Sequence, residues 1–173
     1  AIGSQFACES AIEVLKEVAC ADVSFNQDSL NQIARCICSR WSQMVNDDID
    51  VSDKKVGIEA YGCTLVAYVQ TPKFWLALQI GDGRFVMLNR RRYFRQPIKE
   101  DEKCVCGYTT SMCDTNAASE FRFAFGLKRS IPKAVFLCSD GIDGTFGRGG
   151  NLYAFYWNIL KCLREDGIDA VKR

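Results

Sequence analysis

The chain has 173 residues, with 22 lysines and arginines against 21 aspartates and glutamates, for a formal net charge of +1. That balance carries neither the basic footprint of a nucleic-acid binder nor an acidic tail, while 48% hydrophobic and 25% charged residues is a globular composition with one sizeable core. The sequence has no histidine, which excludes Ser-His-Asp triads, Cys-His dyads, histidine zinc sites and histidine phosphorelay.

The chain opens with no basic segment ahead of an apolar run, and Glu9 interrupts the first apolar stretch, so no secretory signal is read there. A helix begins almost at once. Ser4 is a candidate cap for a helix to about Cys20, with Ala7, Cys8, Ala11, Ile12, Leu15, Val18 and Ala19 on one face. Asp28 or Ser29 opens a second helix. Its stripe of Leu30, Ile33, Ala34, Ile37, Trp41, Met44 and Val45 keeps helical spacing until Asn46-Asp47-Asp48 ends it. Both read as covers over a sheet.

From Ala60 the pattern becomes that of strands. Residues 62–69 form a buried strand closed by Thr71-Pro72. Residues 74–80 form the next, with 84–88 as its partner across Gly81-Asp82-Gly83. Residues 104–113 and 121–127 supply two weaker strands, and Ala134 to Cys138 a short apolar one running into Ser139-Asp140-Gly141. A glycine-rich loop with Gly144, Gly147, Gly149 and Gly150 lacks the Lys-Ser/Thr of a phosphate-binding P-loop and reads as a mobile flap. The last helix carries Leu152, Phe155, Tyr156, Ile159 and Leu163 as a core stripe. Helices first, strands joined by tight turns, then a helix predict an α+β fold in a single domain over 1–173. The longest apolar runs, 134–138 and 153–157, are far shorter than the roughly 18 residues of a membrane span. The late stop at Lys172-Arg173 without a closing strand suggests a trimmed chain.

The ten cysteines include no Cys-x-x-Cys, and Cys36, Cys38, Cys104, Cys106 and Cys113 do not fall at zinc spacing. Cys8 on the first stripe and Cys138 at the end of an apolar strand read as small buried hydrophobes, kept reduced in the cytoplasm. No cysteine has an arginine six residues on, so a cysteine phosphatase loop is excluded. Arg90-Arg91-Arg92, with Arg84 and Arg95 nearby, can attract a phosphorylated group; with Asp101 and Glu102 following, a solvated edge is the simpler reading.

Two aspartates stand where chemistry is placed. Asp140 leaves an apolar strand beside Gly141, at a sheet edge, where Ser-Asp-Gly by itself is a common structural loop opening. Asp82 lies between Gly81 and Gly83, where Asp-Gly by itself signals a turn. Their order decides between the readings. Gly62 and Thr64 enter a strand, Ile80-Gly81-Asp82-Gly83-Arg84 joins two strands, and Phe136-Leu137-Cys138-Ser139-Asp140-Gly141 ends another. In this order the sequence resembles the protein phosphatase 2C (PPM-type) family of metal-dependent phosphatases, from the first helix to about Gly150.

The resemblance implies an α-β-β-α sandwich, two antiparallel sheets flanked by helices, with two or more Mg²⁺ or Mn²⁺ ions at the sheet ends. It implies metal-activated water attacking phosphoserine or phosphothreonine in proteins, in an enzyme of bacterial type. Such chemistry needs no histidine, because the ions lower the pKa of bound water and neutralise phosphate charge. Carried over, Asp140 and Asp82 are metal aspartates, with Gly81, Gly83, Ser139 and Gly141 as supporting backbone. The sequence departs from the family where Cys63 and Gly83 each stand for a usual serine. The family's first and last metal-aspartate segments fall outside 1–173, and the phosphate-binding arginine that some members carry is not seen. Partners implied are a phosphorylated protein, with no nucleic acid and no membrane. The rival expectation is a domain of this fold that has lost its metal site and acts as a binding or regulatory module.

Overall fold

The structure, a computed structural model, describes residues 2–21, 24–52, 56–104, 108–139, 141 and 150–171. The chain divides into two compact units, Ala1–Leu137 and Cys138–Arg173.

Helix α1 (Ile2–Cys20) begins ahead of Ser4 and buries Gly3, Ala7, Ser10, Ala11, Val14, Leu15 and Val18. Cys8 and Ile12, expected on that face, lie on the next ridge and are exposed. The small residues Ala7, Ser10 and Ala11 form the ridge laid against the neighbouring helix, where close approach favours small side chains. That neighbour is α2 (Gln27–Ser52). Its cap is Asn26 rather than Asp28 or Ser29: the Asn26 side chain accepts the Ser29 amide at 2.9 Å, and Ser29 Oγ accepts the Asn26 amide at 3.0 Å. The helix runs through Asn46-Asp47-Asp48 to Ser52, and the Tyr61 hydroxyl donates to Asp48 Oδ2 at 2.6 Å.

A short 3₁₀ turn at Ile58–Tyr61 packs on the start of α1. A Cβ at Gly3 would overlap the Tyr61 carbonyl, and the Gly3 carbonyl accepts the Trp41 indole N–H at 2.9 Å. Gly3→Ala should therefore lower stability by about 1–3 kcal/mol, as overpacking against fixed backbone does. Urea unfolding measures it, and an unchanged midpoint would show that the turn yields without cost.

Among the described residues the strands form two three-stranded sheets, ordered β1-β2-β5 and β4-β3-β6. They are β1 (Leu65–Gln70), β2 (Phe74–Ile80), β3 (Arg84–Leu88), β4 (Phe94–Arg95), β5 (Arg122–Leu127) and β6 (Ala134–Cys138). Three expectations are corrected here. β1 starts at Leu65, not residue 62, because the Cys63 carbonyl accepts the Met112 amide at 2.9 Å. The described part of 104–113 is loop, tied off by Cys104 N–H to Asp101 O and by that Met112 bond. Finally, β2 and β3 are not partners: the chain crosses from one sheet to the other between them. The two-residue β4 and the short helix α3 (Ala117–Glu120) were not legible in the pattern.

β2 is the middle strand of the first sheet and is buried along its whole length. It pairs antiparallel with β1 (Leu65↔Ile80) and with β5 (Phe74↔Leu127). Its side chains alternate between two cores, as pleating requires. Phe74, Leu76, Leu78 and Ile80 join α1 and α2, while Trp75 and Ala77 meet Phe85 and Met87 of β3. The first unit is therefore helices on a sheet on a second sheet, two small antiparallel sheets in an α+β fold.

In the second unit, α4 (Gly150–Glu165) and α5 (Ile168–Val171) are joined through Gly167 at φ +80°. α4 buries Leu152, Tyr156 and Leu160, with Phe155, Ile159 and Leu163 half-buried. Of the Gly147–Gly150 run read as a flap, Gly150 begins α4, and residues 147–149 lie outside the described residues.

Candidate functional site

Gly81, Asp82 and Gly83 make the crossing from β2 to β3. Gly81 stands at φ +91°, and a Cβ there would press into the Thr64 side chain and reach the Thr110 carbonyl at 3.1 Å. The crossing is gripped from behind by buried polar groups. The Gln79 amide, 4% exposed, donates to the carbonyls of Gly81 and Gly83. The Gly81 amide donates to Thr110 Oγ1 at 3.0 Å, and that hydroxyl donates onward to Asp101 Oδ2 at 2.6 Å. Arg122, placed opposite Gln79 by the β2–β5 register, donates to the carbonyls of Gly81 and Lys99. It also forms an ion pair with Asp101 at 3.5 Å.

Asp101 is the anionic centre of this network, its side chain 7% exposed. Burial alone would push its carboxyl up. The Thr110 hydroxyl, the Lys103 amide, the Arg122 guanidinium and the Cys104 thiol overcome that and hold it below its ordinary range. Arg122 Nε is buried without a hydrogen-bond partner, so the guanidinium is committed through its other nitrogens.

Asp82 sits in front of this frame. It is half-buried, and its Oδ2 accepts the Thr109 hydroxyl at 2.8 Å. Neighbouring threonines thus divide the work: Thr109 aims the Asp82 side chain, and Thr110 fixes the backbone beside it. The strand-entry residue Thr64 packs against Gly81, so two of the three sequence motifs meet here.

The third motif is described only in part. Ser139 and Gly141 are exposed in the second unit, and Asp140 lies outside the described residues. A carboxylate beside a hydroxyl is the hard-oxygen chemistry that Mg²⁺ and Mn²⁺ prefer. Among the described residues, no group of three His, Cys, Asp or Glu side chains is placed to hold a metal ion. Cysteine chemistry is disfavoured beside the crossing. Burial, with Cys8 and Cys113 adding to it, pushes the Cys63 thiol up to about 11, so it stays protonated at neutral pH.

Gln79, Asp101, Thr109, Thr110 and Arg122 escaped the sequence reading. They are scattered over 44 positions of chain (79–122), and only strand register and loop return bring them together.

The family model for protein phosphatase 2C matches residues 1–172. The chain belongs to the protein phosphatase 2C family. That membership carries a phosphatase-type function, phosphoprotein substrates in general, and a general family dependence on Mg²⁺ or Mn²⁺. Searches of curated proteins and of solved structures gave no match. Among the described residues, no helix is long and apolar enough to cross a membrane.

Proposed function

We propose that this protein phosphatase 2C domain, taken as one domain over 1–173, hydrolyses phosphoserine or phosphothreonine in cytoplasmic proteins. The observation that carries this reading is the Asp82 carboxylate, aimed by Thr109 at a crossing that a half-buried ion pair braces. Asp82 and Asp140 are the residues that would hold Mg²⁺ or Mn²⁺. Bound there, such ions supply a water of lowered pKa and neutralise charge on the phosphoryl group. The chain's own part, seen at Asp82, is to present the carboxylate already oriented. Thr109 fixes one oxygen of Asp82, and Gln79, Thr110 and Arg122 hold the Gly81 backbone so that the carboxylate does not drift.

Asp82→Asn separates charge from shape. The amide oxygen still accepts the Thr109 hydroxyl, so folding should be retained, while attraction for a cation is lost. In the full-length protein, the Mn²⁺ concentration for half-maximal phosphopeptide hydrolysis should rise on the order of tenfold. A metal titration identical to wild type would make Asp82 a structural residue of the crossing. Absence of any metal-stimulated turnover in the wild-type protein would favour the binding-module reading instead.

A further inference from the structure

The end of the first unit away from Asp82 carries an unusual concentration of cations. β2 runs from Phe74 to Ile80, so at about 3.3 Å per residue its far end lies on the order of 20 Å from the crossing. There the turn after β3 brings up Arg90, Arg91 and Arg92, and the 3₁₀ turn after β5 brings up Lys128 and Arg129. Two bonds join these segments: Arg90 Nη2 donates to the Lys128 carbonyl at 3.2 Å, and the Lys133 amide donates to the Leu88 carbonyl at 2.8 Å. Arg90, Arg91, Lys128, Arg129 and Lys133 are all exposed. Residues 83–99 and 121–139 contain no aspartate or glutamate, so the arginine turn and the 3₁₀ turn bring no neutralising charge of their own.

The pole is not purely ionic. A groove of about 720 Å³ opens there, lined by Pro72, Lys73, Leu127, Lys128, Arg129 and Ser130. Leu127 is 70% exposed in it, and Tyr93 is 67% exposed on the arginine turn. The turn also holds Arg92 at φ +65°, a conformation that is uncommon for a side chain of this size. The carbonyl of Asn89 accepts the Arg92 amide and its side chain accepts the Tyr93 amide, so the turn is shaped rather than slack.

We propose that this basic pole is a docking site for an acidic, extended polypeptide segment carrying an aliphatic side chain. The carboxylates would meet Arg91, Lys128, Arg129 and Lys133, and the aliphatic group would cover Leu127 and Pro72. Charge complementarity argues for the acid, and the aliphatic floor of the groove argues for a protein rather than a nucleic acid. A net charge of +1 also denies a polyanion the field that nucleic-acid binders supply. Docking so far from Asp82 would hold a substrate protein, or a regulator, without occupying the crossing.

Fluorescence anisotropy of the full-length protein with a labelled, unphosphorylated peptide of glutamates flanking one leucine tests this. Wild type should bind, and substituting glutamine for the glutamates should abolish binding. Arg91→Glu with Arg129→Glu should weaken binding on the order of tenfold and flatten its salt dependence, as reversed interfacial charges do. Hydrolysis of a small aryl phosphate should stay unchanged in that variant, since neither residue lies at the crossing. Should the reversal impair folding by thermal melt, Arg91→Gln with Arg129→Gln serves, with a smaller weakening. Equal binding by wild type and variants would overturn the proposal. So would tighter binding to single-stranded RNA or to phosphatidylserine vesicles than to the peptide. Peptide binding is read without turnover, so a failure here is distinct from a failure of the phosphatase reading.

Discussion

Arg122→Met is expected to destabilise the protein by about 3 kcal/mol, the lower end of what breaking a buried ion pair costs. The lower end applies because the Arg122 side chain is still 19% exposed. The loss has two parts. The carbonyls of Gly81 and Lys99 lose a charged donor, and Asp101 keeps its charge in a nearly buried position without a countercharge. Against a typical stability of about 5–15 kcal/mol, that is a large fraction. Arg122→Lys should recover part of the charge effect but not the forked pair of carbonyl bonds.

The pH dependence identifies the electrostatic part. The folded-state pKa of Asp101 is lowered, so its contribution is present above its unfolded value of about 3.9 and is lost as pH falls through the folded value. The stability gap between wild type and Arg122→Met should therefore be full at neutral pH and shrink in acid below about pH 4. Urea unfolding across that range is the measurement. A gap that does not change with pH would show that the carbonyl bonds, and not the Asp101 charge, carry the effect.

The largest expected functional effect is at Asp140, the other aspartate proposed to hold a metal ion. In the full-length protein, Asp140→Ala should reduce metal-dependent phosphopeptide hydrolysis by more than about a hundredfold, since even indirect supports of metal ligands cost 10–100-fold. Without metal, its melting temperature should hold or rise, because deleting a carboxylate from a cation site relieves repulsion among those that remain. Turnover and melting curves, each with and without Mn²⁺, give both readouts. An Asp140→Ala protein that still hydrolyses phosphopeptide would sink the assignment of this residue to the metal. A protein that loses activity and melts far lower would make Asp140 a structural residue.

Much of the fold was legible in the linear pattern because it follows from periodicity. Helical spacing marked α1, α2 and α4, and the apolar runs marked β1, β2, β3 and β6, since each face must be buried against something. The turn at Asp82 was legible for a related reason: glycines on both sides mark a backbone that turns. The ends and phases of elements were not legible. Asn26 displaced Asp28 as the cap, and α1 turned Cys8 and Ile12 to solvent, because reciprocal side-chain bonds and small-residue ridges decide these matters.

Tertiary structure alone decided that Gly81-Asp82-Gly83 links two sheets and not two strands of one. A glycine-flanked turn reads alike in both cases, and only the pairing of β2 with β5 separates them. It also decided what holds the crossing. In the linear pattern Thr109 and Thr110 fall in the expected strand 104–113, Asp101 follows the arginines as surface charge, and Arg122 is one position of the strand 121–127. Their bonds to Asp82, Gly81 and one another exist because a loop returns to one end of a sheet, and hydrogen bonds between residues so far apart leave no periodic trace in the chain.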